Sequence, residues 1–377
     1  MTSTVLLGKK ITMAVTNDLV TDRRVDKTCM ALREAGCNVT LIGRKLPNSK
    51  PIERLYVTRR IKLIFNKKVL FYAEYNIRLF FIMLFTKADL FYANDVDTLP
   101  ACALAAKLRR KKLFLDAHEL FSEVPELVER KVVKHLWQRI EKCFISSTDR
   151  AITVCQSVAD EYEKRTGKKM AVVRNFAPKS DEAIVRPKNT TKTILYQGAV
   201  NVGRGIEWAI EAMQYLDNCR LVIAGEGDIY HQLKHRVNSL PWANRIEFLG
   251  RVEPAKLMPL TKSANLGLVL LDNMGLNYYY SLPNRIGDFV QAGVPVLATD
   301  FPEIKKIIEI YSTGTLINNE AKQPQLLAQK ISHAIEHWEQ MPDEEYNQIF
   351  DKARHDLCWE NEKKVFLDTI STIFSEN

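Results

Sequence analysis

Short apolar runs rich in β-branched residues alternate with amphipathic stretches twice along this 377-residue chain. In the first series, runs such as Ile11–Thr16 and Lys112–Asp116 flank helical patterns such as Asp22–Ala35. In the second series, Cys219–Ala224 and Val294–Thr299 play the same part. Such alternation is typical of βαβ units with a parallel sheet. We therefore predict an α/β fold with two doubly wound, Rossmann-like domains that face each other across a cleft.

The two series are separated by a polar, proline-punctuated stretch without periodicity, which is typical of a linker between domains. We predict an N-terminal domain over residues 1–178, a linker over 179–192 and a C-terminal domain over 193–357. Residues 358–377 are predicted to form a helix that crosses back to the N-terminal domain. In open parallel sheets, ligands bind at the carboxyl ends of the strands, so we look for functional residues there.

The charge balance favours acidic partners, because 54 lysines and arginines outnumber 45 aspartates and glutamates. Nucleotides and an anionic membrane surface fit that balance. Nucleic acid fits the charge too, but we do not expect it as a partner, because basic motifs interleaved with aromatic residues are missing. None of the seven cysteines forms a C-x-x-C pair, so a disulfide or zinc framework is not expected. Without a signal peptide or an apolar stretch that could span a bilayer, we expect a cytoplasmic protein.

A glycine-rich turn, Tyr196–Glu207, follows the first predicted strand of the C-terminal domain and carries Gly198, Gly203, Arg204 and Gly205. Glycines allow the backbone to approach a ligand, and a guanidinium binds phosphate in a bidentate manner. We predict that the turn binds a phosphorylated donor; the alternative is a plain turn between a strand and a helix. A P-loop is excluded, because Arg204 and Gly205 replace its lysine and its hydroxyl.

The densest group of candidate residues lies in Tyr278–Asp300. Pro283 and Asn284 are predicted to open a short helix that ends at Gly293 and carries Asp288 on its inner face. A helix N-terminus binds anions, and a carboxylate accepts hydrogen bonds from sugar hydroxyls. The combination indicates a site for a nucleotide-sugar. The other donor-binding candidates are Tyr280, Ser281, Leu282 and Arg251, although Arg251 could instead pair with Glu253.

Polar residues also follow the strands of the N-terminal domain. His118 could position substrates or transfer a proton, or it could be structural. Asp97 forms a D-x-D pair with Asp95, but we predict no metal, since Asp97 could simply cap the next helix. Asp22 could likewise be a helix cap. We predict that an acceptor or cleft-lining group is formed by Asn17, Asp22, Arg24, Asn94, Asp95 and Glu119.

A basic run precedes an apolar run in the same domain. Arg59, Arg60, Lys62, Lys67 and Lys68 are followed by Leu79–Phe85. Such a segment can attach to an anionic membrane as an amphipathic surface element. The alternative is a helix of the core with a solvated basic approach.

These motifs together resemble family 4 glycosyltransferases, which have the two-domain GT-B fold. The resemblance covers nearly the whole chain, through Asn17–Val25, Asp116–Leu127, Val173–Asn175, Gly198–Gly205, Leu221–Asp228, Ser281–Glu303 and Trp359–Glu362. It implies that the C-terminal domain holds a nucleotide-diphosphate sugar, with a UDP- or GDP-sugar as the expected donor. It also implies a glycan or lipid-linked glycan acceptor held by the N-terminal domain, and transfer with retention of configuration and without a metal or cofactor.

The chain departs from the family pattern at two places. The family often has a pair of glutamates here, and this chain has Tyr280 and Asp288 instead. The family's pair of phosphate-binding cations is reduced to Arg204, since Ala199 occupies the other position. We expect Arg204 to stabilise the leaving diphosphate and His118 to position the substrates. An epimerase or a phosphorylase on the same fold is the alternative, and a basic nucleic-acid-binding protein is a more distant one.

Overall fold

The computed structural model describes residues 5–20, 22–318 and 322–375. The chain forms two compact units. The first unit comprises Met1–Arg174 and Glu362–Asn377, and the second comprises Asn175–Asn361. The first unit therefore ends before the predicted boundary at residue 178, and a C-terminal segment of the chain belongs to it.

The first unit contains a parallel seven-stranded sheet with the order β3-β2-β1-β4-β5-β6-β7. Because the strand order reverses direction next to β1, the sheet is doubly wound. Apolar side chains fill both faces of the central strands, and every residue of β4 is buried. The strands are β1 (Lys10–Ala14), β2 (Asn38–Lys45), β3 (Val57–Lys62), β4 (Leu90–Asn94), β5 (Lys112–Ala117), β6 (Arg150–Thr153) and β7 (Ala171–Val172).

Helices connect these strands. The side chain of Asp22 accepts a hydrogen bond from the Val25 N–H and so caps the first helix. The helices of this part of the chain are α1 (Arg23–Glu34), α2 (Lys68–Phe85), α3 (Leu99–Arg109), α4 (Pro125–Val128), α5 (Lys131–Ile145) and α6 (Gln156–Thr166).

The second unit contains a parallel six-stranded sheet with the order β10-β9-β8-β11-β12-β13. Along β8, Ile194 and Tyr196 belong to one core cluster and Leu195 to the other, because successive side chains point to opposite faces. The strands are β8 (Lys192–Gln197), β9 (Cys219–Ala224), β10 (Ile246–Gly250), β11 (Leu266–Val269), β12 (Val296–Thr299) and β13 (Gly314–Ile317).

The helices of the second half of the chain are α7 (Ile206–Ala212), α8 (Tyr230–Val237), α9 (Pro254–Lys262), α10 (Leu276–Tyr280), α11 (Asn284–Ala292), α12 (Pro302–Tyr311), α13 (Pro324–Gln340), α14 (Asp343–Asp356) and α15 (Trp359–Ser375). As predicted, α11 begins at Asn284 and is capped at Gly293, whose φ of 71° is left-handed. Helix α15 starts in the second unit, and its portion from Glu362 belongs to the first.

The prediction of an α/β fold with two doubly wound domains is confirmed. The elements that were missed include β3, β13, α9, α12 and α14. Strand β3 was interpreted only as a basic segment, because it is an edge strand on which Arg59 and Lys62 are exposed. Such charges are typical of edge strands, where they prevent pairing with other chains.

Candidate functional site

The loops after β4 and β5 bring acidic side chains and a histidine to one edge of the first sheet. Asp95 directly follows β4 and adopts a φ of 65°, a strained conformation for a residue with a side chain. Its carboxylate accepts a hydrogen bond from the Val96 N–H at 2.9 Å. Asp97 is buried and accepts from the Thr16 hydroxyl at 2.6 Å, while its Oδ1 has no hydrogen-bond partner in the described chain. The edge therefore holds a buried carboxylate oxygen whose capacity to accept a hydrogen bond is unused by the described residues.

Asp97 does not cap α3, because the N-cap residue of that helix is Thr98. Burial raises the pKa of Asp97 to about 7, although the Thr16 hydrogen bond and the His118 charge oppose that rise. Burial also raises the pKa of Asp95 well above its usual range, against the influence of the His118 charge. Two neighbouring carboxyl groups at this edge thus bind protons more tightly than free aspartates do.

His118 is held by an ion pair at the end of β5. Asp116, fully buried, forms a salt bridge with Arg24 at 2.6 Å and accepts a hydrogen bond from the Tyr92 hydroxyl at 3.0 Å. His118 Nε2 lies 3.5 Å from Asp116 Oδ2, and no other side chain binds that nitrogen in the described chain. Burial alone would lower the pKa of His118, but the Asp116 carboxylate raises it to about 9. The Asp116 carboxylate therefore favours the protonated form of His118.

Several residues predicted to line the cleft have structural partners instead. Arg24 is buried, and its guanidinium binds Asp116 and the Val173 carbonyl, so it is not available to an acceptor. Asn17 donates to Asp22, and its own side-chain oxygen accepts from the Leu19 N–H at 3.1 Å. These three residues shape the first turn between a strand and a helix, and Arg24 positions Asp116, which in turn holds His118.

The remaining predicted acceptor residues lie at the same edge as Asp95. Asn94 is completely buried at the end of β4 and donates to the Ala14 carbonyl at 3.0 Å, while its Oδ1 has no partner among the described residues. Glu119 is half-buried, and its charge acts on both Asp95 and Asp97. The structure thus brings together His118, Glu119, Asn94 and Asp95, and it adds Asp97 and Thr16, which the sequence did not place in the group.

In the second unit, the glycine-rich turn follows β8 and leads into α7. Gly198, Gly203 and Gly205 all have positive φ values, of 129°, 78° and 66°. The Arg204 guanidinium stacks over the Tyr278 ring, with Cζ 4.4 Å from the ring centroid, and its Nε has no hydrogen-bond partner in the part of the chain described. An arginine held by an aromatic face with free N–H groups is suited to bind an anion.

Asp288 lies on α11 and is oriented by neighbours in the sheet. The Gln197 side chain at the end of β8 donates to Asp288 Oδ2 at 3.1 Å, and the Thr261 hydroxyl donates to Gln197 at 2.8 Å. Asp288 is half-buried one turn from the N-terminus of α11. A carboxylate held in this way can accept hydrogen bonds from a ligand near the start of the helix.

Arg285 is a residue that the sequence reasoning missed. It is only 7% exposed on the first turn of α11, and its guanidinium stacks over Tyr196, with Cζ 4.8 Å from the ring centroid. Burial lowers the pKa of Arg285, and the charge of Arg204 adds to that effect. The signal was present in Pro283-Asn-Arg285, but an arginine inside an apolar helix was not considered as a second cation.

The other predicted donor-binding residues surround the start of α11. Ser281 donates from its hydroxyl to the Tyr278 carbonyl at 2.9 Å, and Asn284 is exposed as the first residue of the helix. Tyr280, Leu282 and Pro283 are half-buried next to it. Arg251 is exposed after β10 and does not pair with Glu253, which instead pairs with Lys256 at 3.1 Å.

Models of known families match both units. The model described as "Glycosyltransferase Family 4" matches residues 21–179, and the one described as "Glycosyl transferases group 1" matches residues 191–337. The chain belongs to glycosyltransferase family 4. The resemblance inferred from the motifs is thereby confirmed.

Two curated relatives of this family member match part of its length. An uncharacterized glycosyltransferase of Methanocaldococcus jannaschii is 27% identical over 150 residues, which are 39% of this chain and 36% of that protein. An alpha-1,4-N-acetyl-D-galactosaminyltransferase of Campylobacter jejuni, named for an undecaprenol-diphosphate-linked glycan, is 26% identical over 180 residues. That match covers 46% of this chain and 47% of the relative. The chain spans about a third to a half of the length of the curated relatives it matches.

Solved structures confirm the GT-B fold of this family 4 chain. Sucrose-phosphate synthase from Thermosynechococcus elongatus matches with a TM-score of 0.76 at 16% identity, over 98% of this chain and all of that one. Anabaena HepE, solved in complex with UDP-glucose, matches with a TM-score of 0.67 at 15% identity, over 98% of each chain.

Helix α2 has two apolar sides. Phe71, Tyr75, Leu79 and Met83 are buried at intervals of four residues. On the opposite side Val69, Ile77, Phe81 and Phe85 are 54%, 59%, 56% and 86% exposed. The run Leu79–Phe85 thus contributes to the core through Leu79 and Met83 and to the surface through Phe81 and Phe85, and its attachment to a membrane stays a prediction. No helix among the described residues is long and apolar enough to cross a membrane.

The basic residues before α2 have different surroundings. Arg59 and Lys62 are exposed on β3, and Lys67 and Lys68 are exposed at the start of α2. Arg60 instead forms a salt bridge with Asp18 at 3.0 Å.

In the described part of the chain, no three histidine, cysteine, aspartate or glutamate residues are grouped so as to hold a metal ion.

Proposed function

We propose that the protein transfers a sugar from a nucleotide-diphosphate sugar to a glycan or lipid-linked glycan acceptor, in the synthesis of a cell-surface polysaccharide or glycolipid. The observation that carries this proposal is the arrangement in the second unit, where Arg204, the start of α11 and Asp288 present a cation, a helix N-terminus and an oriented carboxylate. A diphosphate and ribose hydroxyls need these groups. The binding of UDP-glucose by Anabaena HepE supports a UDP-sugar as the donor, with a GDP-sugar as the alternative.

The chemistry follows from charge development at the leaving group. As the bond between the anomeric carbon and the diphosphate breaks, negative charge grows on the diphosphate. Arg204 and the positive end of α11 stabilise that charge, and they do so more strongly in the transition state than in the ground state. The family resemblance supports transfer with retention and without a metal.

In the first unit, the group after β4 and β5 suits an acceptor with hydroxyl groups. His118, whose pKa the Asp116 carboxylate raises, would donate a hydrogen bond, while Asp97 and Asn94 have oxygens without a partner among the described residues. His118 therefore positions a substrate rather than removing its proton. The name of the Campylobacter relative supports a lipid-linked glycan as the acceptor class.

An acceptor linked to a lipid requires access to a membrane surface, and the exposed apolar side of α2 suits that requirement. A helix with two apolar sides can bury one side in the protein core and the other in a second apolar environment, such as lipid. The exposed lysines and arginines next to it attract anionic headgroups, by about 1 kcal/mol for each charge near the surface. Peripheral attachment to the inner face of the cytoplasmic membrane is therefore part of the proposal.

The test of the activity begins with a thermal-shift screen against UDP- and GDP-sugars, followed by transfer assays with an undecaprenol-linked glycan in the presence and absence of EDTA. We expect transfer that survives EDTA, and an Arg204→Ala variant whose kcat falls more than its donor affinity. Incubation with the donor alone distinguishes the alternatives, since an epimerase gives a changed sugar nucleotide without an acceptor. Absence of any nucleotide-dependent thermal shift would contradict the proposal.

The membrane part is tested by co-sedimentation with phosphatidylglycerol vesicles. Ile77→Ser should weaken binding, whereas Ile310→Ser should not, because Ile310 is equally exposed, at 60%, but lies on α12 of the second unit. Neutralising Arg59, Lys62, Lys67 and Lys68 should weaken binding at low salt. If the wild-type protein stays in solution with anionic vesicles at low salt, membrane attachment is wrong.

A further inference from the structure

The guanidinium of Arg285 is buried without an anionic partner. Its one hydrogen bond to the residues that the structure describes is long, 3.4 Å from Nη1 to the Tyr196 hydroxyl, and Tyr196 itself donates to the Ala199 carbonyl at 2.5 Å. Nε and Nη2 of Arg285 have no hydrogen-bond partner among the described residues. A buried charge without a partner is costly, so this arrangement calls for an explanation.

The other two buried arginines of the described residues have closer partners, although Nη2 of Arg354 also lacks a hydrogen bond. Arg24 binds the carboxylate of Asp116, and Arg354 donates from Nη1 to the Glu182 carbonyl at 2.9 Å. Neither Arg285 nor Arg204 has a carboxylate within 4 Å in the part of the chain that the structure describes. Instead the two arginines act on each other, with each guanidinium stacked on a tyrosine ring. Two like charges that act on each other without a carboxylate partner favour an anion with at least two charges.

The space next to Arg285 is kept open by Gly198. A side-chain carbon at this position would lie 3.3 Å from Arg285 Nη1, and the φ of 129° at Gly198 is one that other residues rarely adopt. The absence of a side chain at Gly198 therefore lets the backbone of the turn come close to the guanidinium without crowding it. The first turn of α11 carries Arg285 itself, so the helix N-terminus adds to the positive potential.

We propose that Arg285 is a diphosphate-binding residue of the second unit, the partner of Arg204, and that it supplies from α11 the cation missing at Ala199. This inference deepens the proposed function, on which it rests for the identity of the diphosphate as a donor's leaving group. Arg285 would contact the nonbridging oxygens through Nε and Nη2, in the bidentate geometry that guanidinium groups favour. A nucleoside diphosphate and free pyrophosphate share this chemistry, so the experiment includes both.

The experiment measures, by calorimetry, the binding of UDP, GDP, the corresponding nucleosides and inorganic pyrophosphate to the full chain. Arg285→Met should weaken the binding of the preferred nucleoside diphosphate and of pyrophosphate by about 10-fold or more, and leave nucleoside binding unchanged. Arg285→Lys keeps the charge but loses the planar fork, so its affinity should lie between those of the wild type and Arg285→Met. The control is Arg236→Met on α8, an exposed arginine of the same unit.

A structural role is distinguished by the stability of the unliganded variants. Because Arg285 has no anionic partner, the Arg285→Met variant should have the same melting temperature as the wild type or a higher one. The rise in melting temperature caused by UDP or GDP should be smaller in the variant. A lower melting temperature, failure to fold, or an unchanged affinity for the diphosphate would overturn the inference. Loss of pyrophosphate binding in Arg285→Met without sugar transfer by the wild type would support the inference and contradict the proposed function.

Discussion

The protonation of Asp97 at the edge of the first sheet makes the free energy of unfolding depend on pH. Its pKa of about 7 lies above the value of about 4 for a free aspartate, so the folded state binds this proton more tightly. A raised pKa makes the free energy of unfolding fall as the pH rises between these two values. In Asp97→Asn this loss is absent, and we expect a higher melting temperature than the wild type at pH 8 and a smaller difference at pH 5. Asp160→Asn, at an exposed position of α6, is the control, and equal pH dependence of wild type and Asp97→Asn would contradict the assignment.

The carboxylate of Asp288 is predicted to bind ribose hydroxyls. Asp288→Asn keeps the shape of the side chain but removes the charge that accepts these hydrogen bonds. We expect nucleotide affinity to fall by about 1.5 to 3 kcal/mol, as for hydrogen bonds to charged groups. Calorimetry with UDP and GDP measures the effect, and Asp351→Asn on the exposed side of α14 serves as the control. Wild-type affinity in Asp288→Asn would remove this residue from the site.

Candidate site residues stood out in the sequence where a local pattern marks them. They were harder to predict where their partners come from distant parts of the sequence. His118 stood out because it follows a buried strand, and Asp288 because it lies on the inner face of a predicted short helix; both have structural neighbours that orient them. Arg24 was misassigned because its partner Asp116 is 92 residues away in sequence. Arg285 was overlooked for a similar reason, since its position next to Arg204 depends on how α11 packs against the turn after β8.

Among the elements, local patterns predicted central strands well and peripheral ones poorly. The central strands are apolar because both faces are buried, whereas β3 alternates exposed and buried residues at the sheet edge. Helix α14 was missed because its sequence is mostly polar and only Tyr346, Phe350, Ala353 and Arg354 are buried. The end of α11, in contrast, was readable from Gly293 alone.

Two helix ends allow steric and backbone effects to be separated. Gly293 caps α11 with a φ of 71°, and Gly167 caps α6 with a φ of 70°. A Cβ at 293 would lie 2.8 Å from Ile184, while one at 167 would meet nothing within 4 Å. Gly167→Ala should cost about 1 kcal/mol from the left-handed backbone alone, and Gly293→Ala should cost more. Urea unfolding measures the loss in free energy of unfolding for both variants. Equal losses would mean that the neighbours of Gly293 move aside without strain.

For the whole molecule, α15 is a structural part of the first unit. Phe366 is buried against Tyr92 and Phe114, with ring centroids 6.3 and 6.5 Å apart, and Glu362 accepts a hydrogen bond from the Arg174 N–H at 2.7 Å. Phe366→Ala should therefore destabilise the first unit by about 3 to 5 kcal/mol. Because the proposed nucleotide-binding residues lie in the second unit, we expect its response to UDP or GDP to persist.

Thermal unfolding with and without nucleotide tests this expectation. Val365→Ala, at a half-exposed position of the same helix, is the matched control and should have little effect. Loss of nucleotide binding in Phe366→Ala would show that the two units do not respond separately to the change.

The return of α15 to the first unit also has a consequence for biosynthesis. Phe366, Ile370 and Ile373 complete a core whose other parts are made before residue 175. On the ribosome, the first unit must therefore wait with an open core while the whole second unit is translated, although domains usually fold in the order in which they are made. A nascent chain of this protein is thus exposed to chaperones and proteases for longer than one whose first domain is contiguous in sequence.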